Sequence, residues 1–172
     1  MDFYQVIQSR ESIRNYNPDK KVSADILEKI LNAGRIAPSA VNFQPWRFVV
    51  VQSKEKLKQV KAAYNKPWFA DAPCVLIVKG KRKKAWTRQS DGYNSLETDL
   101  AIAMDHMILT AENENVGTCW IAAFKPDILK KTLQLTDDED VFAMTPLGYQ
   151  KDGFEKRGKI ARKPLEEVVT YL

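Results

Sequence analysis

The sequence predicts one soluble domain in which helices are interspersed with strands around a single core, and three observations predict it. A chain of 172 residues suits one core and leaves little room for a second. Hydrophobic residues make up 44% and charged residues 28%, an ordinary globular balance, with no apolar run near the roughly 18–20 residues that cross a bilayer. Apolar residues recur with helical period in some stretches and as continuous β-branched runs in others, without internal repeats, low-complexity tracts or Gly/Ser linkers.

Taken in order, residues 2–10 place Phe3, Val6 and Ile7 at helical spacing. Ser23 is an N-cap candidate for a second helix with Ile26, Leu27, Ile30 and Leu31 inward, ending near Ala37 because Pro38 disfavours helical geometry before it. Trp46 to Val51 reads as a strand. A Lys-rich helix follows at about 53–64, then a strand at Cys74–Val78 whose unbroken apolar run requires burial on both faces. Residues 79–94 read as a basic, irregular loop. The longest helix, about 95–116, is apolar in nearly every direction, so it must be covered all round. A domain this small covers one face itself, and a second subunit is the natural cover for the other, which argues for a dimer. Gly117 is placed to end that helix in a left-handed conformation. A short apolar stretch at 118–122, a helix from Pro126 and a strand from Val141 to Tyr149, with Pro146 at its end or edge, complete the body. From Gly158 an extended arm runs to the apolar Val168-Val169-Thr170-Tyr171-Leu172, an ending that should dock on something.

The N-terminus has neither a basic nor an apolar leader region, so a cytoplasmic location is expected. Cys74 and Cys119 match no metal spacing and are expected to be buried, reduced thiols, and the lone His106 makes a histidine-rich metal centre in one chain improbable. A net charge of +5 allows an anionic ligand without choosing among nucleic acid, membrane and phosphorylated cofactor.

Three segments stand out for their chemistry. In Arg10-Glu11-Ser12-Ile13-Arg14 a hydroxyl lies between two guanidinium groups, a set that can surround an anion; a solvated basic helix end is the competing reading. In Ala37-Pro38-Ser39-Ala40-Val41-Asn42-Phe43-Gln44-Pro45-Trp46, prolines, a hydroxyl and two amides offer donors and acceptors at fixed positions for a polar planar ligand, or form a stiff helix-to-strand connection and nothing more. The third segment is Gly117-Thr118-Cys119-Trp120-Ile121-Ala122-Ala123-Phe124.

These segments, with Pro146-Leu147-Gly148-Tyr149 and Arg162-Lys163-Pro164-Leu165, resemble in residues and order the FMN-dependent nitroreductase family, over about residues 3–168. The resemblance implies an α+β fold, a mixed β-sheet flanked by helices in an intertwined homodimer, with residues 1–172 one FMN-binding domain whose C-terminal arm starts at about 158. It implies ping-pong transfer of electrons from NADH or NADPH, through N5 of the flavin, to an electron-poor small molecule such as a nitroaromatic or quinone. Arg10 and Ser12 would meet the ribityl-phosphate, with Arg162 clamping the phosphate and Arg14 at the pyrimidine edge as electrostatic stabiliser of the reduced ring. Pro38, Ser39, Ala40, Asn42 and Gln44 would come from the partner subunit, and Ile121, Ala122 and Ala123 would line the ring. No metal and no essential acid–base side chain is implied. Ala40 stands where many relatives carry serine, and Ala122 where some carry an acid. The lysine often found two residues before the arginine is absent, leaving Lys159 or Lys163 to substitute.

Two rival functions are weighed beside this one. A flavin storage or sensor protein would bind FMN without turnover. A nucleic-acid-binding module would use the basic run Lys79 to Arg88 around Trp86, which otherwise reads as a solvated loop or as a rim attracting NAD(P)H phosphates.

Overall fold

The computed structural model describes residues 1–158 and 160–172. Lys159, a sequence candidate beside Arg162, lies outside the described residues. The helices are α1 (Phe3–Ser9), α2 (Ala24–Arg35), α3 (Lys54–Lys61), α4 (Pro67–Ala70), α5 (Leu96–Asn113) and α6 (Pro126–Leu133). The strands are β1 (Trp46–Val51), β2 (Cys74–Lys81) and β3 (Glu139–Leu147). Short 3-10 turns occupy Ala40–Asn42, Arg82–Lys84 and Leu165–Glu167.

The three strands form an antiparallel sheet with β2 in the centre. Alternation along β2 divides the core. Cys74, Leu76 and Val78 pack towards α2 and α5, whereas Val75 and Ile77 join Leu57 and Val60 of α3, Phe69 of α4 and Leu129 of α6. Helices therefore cover both faces, which is why β2 is apolar at successive positions. Each fully buried Leu, Ile or Val contributes on the order of 1.5–3 kcal/mol.

Beyond β3 the sheet continues irregularly. Gly117 pairs with Gly148 and Ile121 with Met144, both antiparallel. The intervening pair would be Cys119 with Pro146, but proline has no N–H to give. The Cys119 carbonyl loses that donor, while the Thr145 hydroxyl bridges the other half of the pair: its Oγ1 accepts from the Cys119 N–H at 3.0 Å and donates to the Pro146 carbonyl at 3.0 Å. On the far side of this segment Ser12 bridges Thr118 in parallel, with the Ile13 N–H donating to the Thr118 carbonyl at 2.7 Å. That bridge is the parallel component of the sheet.

Helix ends follow from local chemistry. Asp2 and Gln5 form a capping box on α1, and Ser23 and Ser53 cap α2 and α3. Pro126 opens α6.

Several expectations need correction. Strand β2 runs on through Lys79, Gly80 and Lys81, which the sequence suggested was loop. The left-handed residue after α5 is Asn115 (φ 57°), not Gly117. Gly117 is needed for close approach, since a Cβ there would lie 3.0 Å from Ile13 Cγ2 and 3.1 Å from the Gly148 oxygen. Helix α1 buries only Val6, leaving Phe3 (67%) and Tyr4 (71%) exposed. The end of the arm stays open in one chain: Leu165, Val168, Tyr171 and Leu172 are exposed and Val169 is half-buried. No helix among the described residues is long and apolar enough to cross a membrane.

Gly117→Ala should therefore lower stability by about 1–3 kcal/mol, read as a lower urea midpoint at unchanged slope. Asn115→Gly, which only relieves a positive φ, should stay within about 1 kcal/mol of the parent. Equal midpoints for Gly117→Ala and the parent would sink the close-approach argument.

Candidate functional site

After α1 the chain becomes extended, and side chains alternate. Glu11 and Ile13 turn inward and are buried, while Arg10, Ser12 and Arg14 share the opposite, accessible side. The i, i+2, i+4 spacing thus puts two guanidinium groups and a hydroxyl on one face. Among the described residues neither Arg10 nor Arg14 makes an ion pair with a carboxylate. The Arg14 guanidinium lies 5.9 Å from the centroid of the Trp68 ring, at a cation–π distance.

Cys119 adjoins this face. Burial pushes its thiol upward, and Arg14, the Ser12 hydroxyl and Arg10 pull it partly back, so all three converge on the Thr118–Cys119 segment. Both thiols are free and buried, and Cys74 is pushed up to about 12 by burial alone. Further along, Ile121 is buried in the bridge to Met144, whereas Ala122 and Ala123 are exposed. Trp120 stands edge-on to Phe142 with centroids 5.7 Å apart. The sequence thus places Arg10, Ser12, Arg14 and the 118–123 segment in one neighbourhood.

The loop from Pro38 to Gln44 is elsewhere. Val41, Asn42 and Gln44 have φ of 46°, 60° and 50°, and a non-glycine residue in that region costs of order 1–3 kcal/mol. The loop is held by its own polar groups: Ser39 Oγ accepts from the Gln44 N–H at 2.9 Å, and Gln44 Nε2 donates to Asn42 Oδ1 at 3.0 Å. One external anchor fixes it. Asp99, near the start of α5 and 2% exposed, accepts from the Ala40 N–H at 2.9 Å and from Ser95 Oγ at 2.7 Å.

The two groups sit at opposite ends of α5. The N-terminal segment meets the far end, where Ser9 Oγ donates to Glu112 Oε1 at 2.6 Å. Asp99 and Glu112 are thirteen residues apart on this helix, about 20 Å along its axis. One chain does not bring the Arg10–Arg14 face and the Pro38–Gln44 loop to a common ligand. Among the described residues Arg162 bonds only its neighbour, the Ala161 carbonyl, at 3.1 Å. A cavity of about 820 Å³ between α2 and β1 reaches this set only through Gln44, and one of about 540 Å³ beside Phe124 and Phe142 only through Ala122. The Arg10–Arg14 face is open surface.

Sequence reasoning missed Asp99, Thr145 and Glu11. An acid at a buried position of an apolar helix, and a threonine beside a strand proline, were the available signals for the first two. The basic run was read as a solvated loop, but most of its charges are paired. Lys79 meets Glu139 at 2.7 Å, Lys81 meets Asp138 at 3.1 Å, Arg82 meets Glu97 at 3.0 Å and Arg88 meets Asp91 at 2.6 Å. These carboxylates remove most of the field that a phosphate-tracking stripe needs. His106 is half-buried, its side chain makes no hydrogen bond among the described residues, and its carbonyl accepts from Thr110 Oγ1.

Comparison with known proteins adds to this geometry. The sequence profile of the Nitroreductase family matches residues 7–64 and 56–149. A protein of Archaeoglobus fulgidus, provisionally named an NADH dehydrogenase/NAD(P)H nitroreductase, is 31% identical over 153 residues, covering 86% of this chain and 85% of its own. The crystal structure of a nitroreductase family protein from Clostridium difficile 630 is 36% identical with a TM-score of 0.90, covering 99% of this chain and 98% of its own. A provisionally named nitroreductase from Desulfovibrio desulfuricans, solved in complex with FMN, shares the fold at a TM-score of 0.81 with 24% identity, covering 100% of this chain and 97% of its own.

Two measurements follow. Asp99→Ala leaves the Ala40 N–H without its acceptor and should cost about 1–3 kcal/mol, whereas Asp99→Asn, which keeps an acceptor oxygen, should cost less; the reverse order in urea unfolding would refute the anchor. Glu139 is held from an ordinary 4.5 down to about 2, first by Lys79 and then by the Thr136 N–H. Its stabilisation is complete above about pH 4.5 and is lost as pH falls through about 2. The stability gap between the parent and Lys79→Met should therefore close over that acid range, and a gap unchanged down to pH 2 would contradict the pairing.

Proposed function

This chain belongs to the nitroreductase family, and on that premise we propose that it is an FMN-dependent oxidoreductase. We read it as a homodimer that passes electrons from NADH or NADPH to an electron-poor small molecule such as a nitroaromatic or quinone. The observation that carries this reading is the separation of the two polar groups along α5. A two-fold pairing, in which each chain offers the same surface, sets the Arg10–Arg14 face of one subunit against the Pro38–Gln44 loop of the other and does so twice. It also covers apolar surface that one chain leaves bare: Phe3, Tyr4 and Ile7 on α1, Val41 and Phe43 on the loop, and the arm's end. On this reading residues 1–172 form one domain, with the arm starting at about 158. The two free thiols suit a reducing compartment such as the cytoplasm.

The donor set fits FMN. Arg10 and Ser12, uncompensated by any carboxylate among the described residues, suit a phosphate, and planar guanidinium forks bind phosphate oxygens in pairs. Arg162 joins them from the arm, with Lys163 as a further cation. Arg14, restrained by Trp68, places a fixed positive charge for the pyrimidine edge of the ring and favours negative charge developing there. From the partner, Pro38 and Ala40 shape the loop, and Ser39, Asn42 and Gln44 supply hydroxyl and amide groups whose positions the strained backbone fixes. Ile121, Ala122 and Ala123 offer small, apolar contact with a flat ring. Ala40 brings no hydroxyl and Ala122 no acid, so neither side chain delivers a proton to the ring. When bound, FMN supplies the two-electron redox chemistry, and the chain binds, orients and tunes it.

Purified protein should show a flavin absorbance spectrum, run as a dimer in light scattering and oxidise NADH or NADPH in the presence of a quinone or nitroaromatic. Arg10→Ala should weaken FMN binding by about tenfold to a hundredfold, the range of a charged hydrogen bond. A colourless monomer that rejects added FMN would overturn the proposal. Tight FMN without steady-state nicotinamide oxidation would favour storage or sensing instead.

A further inference from the structure

The segment before the arm runs antiparallel to the one that carries Arg10 and Ser12, held by bonds that mostly involve side chains. The Asn17 N–H donates to the Tyr149 carbonyl at 2.8 Å, and the Lys151 N–H to Asn15 Oδ1 at 3.1 Å. Lys156 Nζ donates to the Ser9 carbonyl at 3.2 Å and also to Glu112 Oε1. Last comes the Arg157 N–H, which is shared between Glu11 Oε1 and Oε2 at 3.1 Å each. Beyond that point, residues 160–172 make hydrogen bonds and ion pairs only with one another among the described residues. Among the described residues the bond to Glu11 is thus the final fixed point before Arg162, five residues on.

We propose that Glu11 is a positioning residue that sets the course of the C-terminal arm, so that Arg162 joins Arg10 and Ser12 at the ligand's phosphate. The inference rests on the FMN reading above. Glu11 is 4% exposed and turns away from the face shared by its two neighbours, so it does not touch the ligand itself. It sits between Arg10 and Ser12 in sequence, and the same three residues present the phosphate donors on one side and hold the arm's root on the other. A shift of the arm is then a shift relative to those donors. A carboxylate suits this task because both oxygens accept, gripping one N–H without demanding a particular side chain at position 157.

The phosphate gives the test its discrimination, because riboflavin lacks it. Both flavins would be titrated against the purified protein by fluorescence quenching, in the parent and in Glu11→Ala, Glu11→Gln, Arg162→Ala and the double variant Glu11→Ala/Arg162→Ala. The parent should prefer FMN. Glu11→Ala should weaken FMN by about tenfold or more and riboflavin by less than about twofold. Glu11→Gln, whose amide oxygen still accepts from the Arg157 N–H, should retain the preference, and Glu11→Ala should cost little once Arg162 is gone. Equal losses for both flavins, or an undiminished cost in the Arg162→Ala background, would overturn the proposal. Should Glu11→Ala not fold, Arg157→Pro deletes the donor, leaves Glu11 in place and is read the same way. A parent that binds no FMN defeats the functional reading and this inference with it. A parent that prefers FMN beside an unaffected Glu11→Ala defeats this inference alone.

Discussion

Helix α5 acts as a rigid spacer between two structures that the chain builds separately. At one end the buried Asp99 carboxylate holds the Ala40 amide and so supports a loop with three left-handed residues. At the other, Glu112 receives Ser9 and Lys156, fixing the segment that exposes Arg10, Ser12 and Arg14. Both acids are buried with their bonds satisfied, and among the described residues no buried side-chain polar atom lacks a partner. Because a helix neither stretches nor bends readily, the separation is a property of the fold rather than of side-chain choice. A ligand that needs both groups has to be met by two chains.

The edge of the sheet shows how a local deficit is turned to use. Pro146 has no N–H to return to the Cys119 carbonyl, and the hydroxyl of Thr145 bridges the other half of the pair, accepting from the Cys119 N–H and donating to the Pro146 carbonyl. The strand segment is thereby kept against β3 across the gap, and its outer side pairs with Ser12 and Ile13. The face that carries the two arginines is in this way tied to the centre of the molecule. A Cβ at Gly117 would crowd Ile13 and the Gly148 oxygen, and one at Gly148 would meet the Pro73 ring at 2.8 Å and Tyr16 at 3.1 Å.

Much of this was legible in the sequence, and the reasons are specific. Strand β1 and the core of β2 were readable because β-branched and aromatic residues in short runs have few other uses. The extension of β2 through Lys79 and Lys81 was not, because its lysines are accommodated by Glu139 and Asp138 in and beside β3, a long-range pairing that mimics loop composition locally. The alternation of Arg10, Ser12 and Arg14 was visible as spacing, but the separate anchoring of the Pro38–Gln44 loop required Asp99, 59 positions away from Ala40. The bond between Glu11 and Arg157 spans 146 positions and leaves no local trace.

The division of each pocket between two polypeptides has a genetic consequence. In the proposed dimer, a lesion in the arginine segment and a lesion in the strained loop would damage one and the same pocket when they fall on opposite subunits. A hybrid assembled from one subunit of each defective type would thus concentrate both faults in a single pocket and leave the other built wholly from sound parts. Two alleles that are each inactive would, when expressed together, regain one sound pocket per hybrid dimer, about a quarter of all pockets if the subunits pair at random.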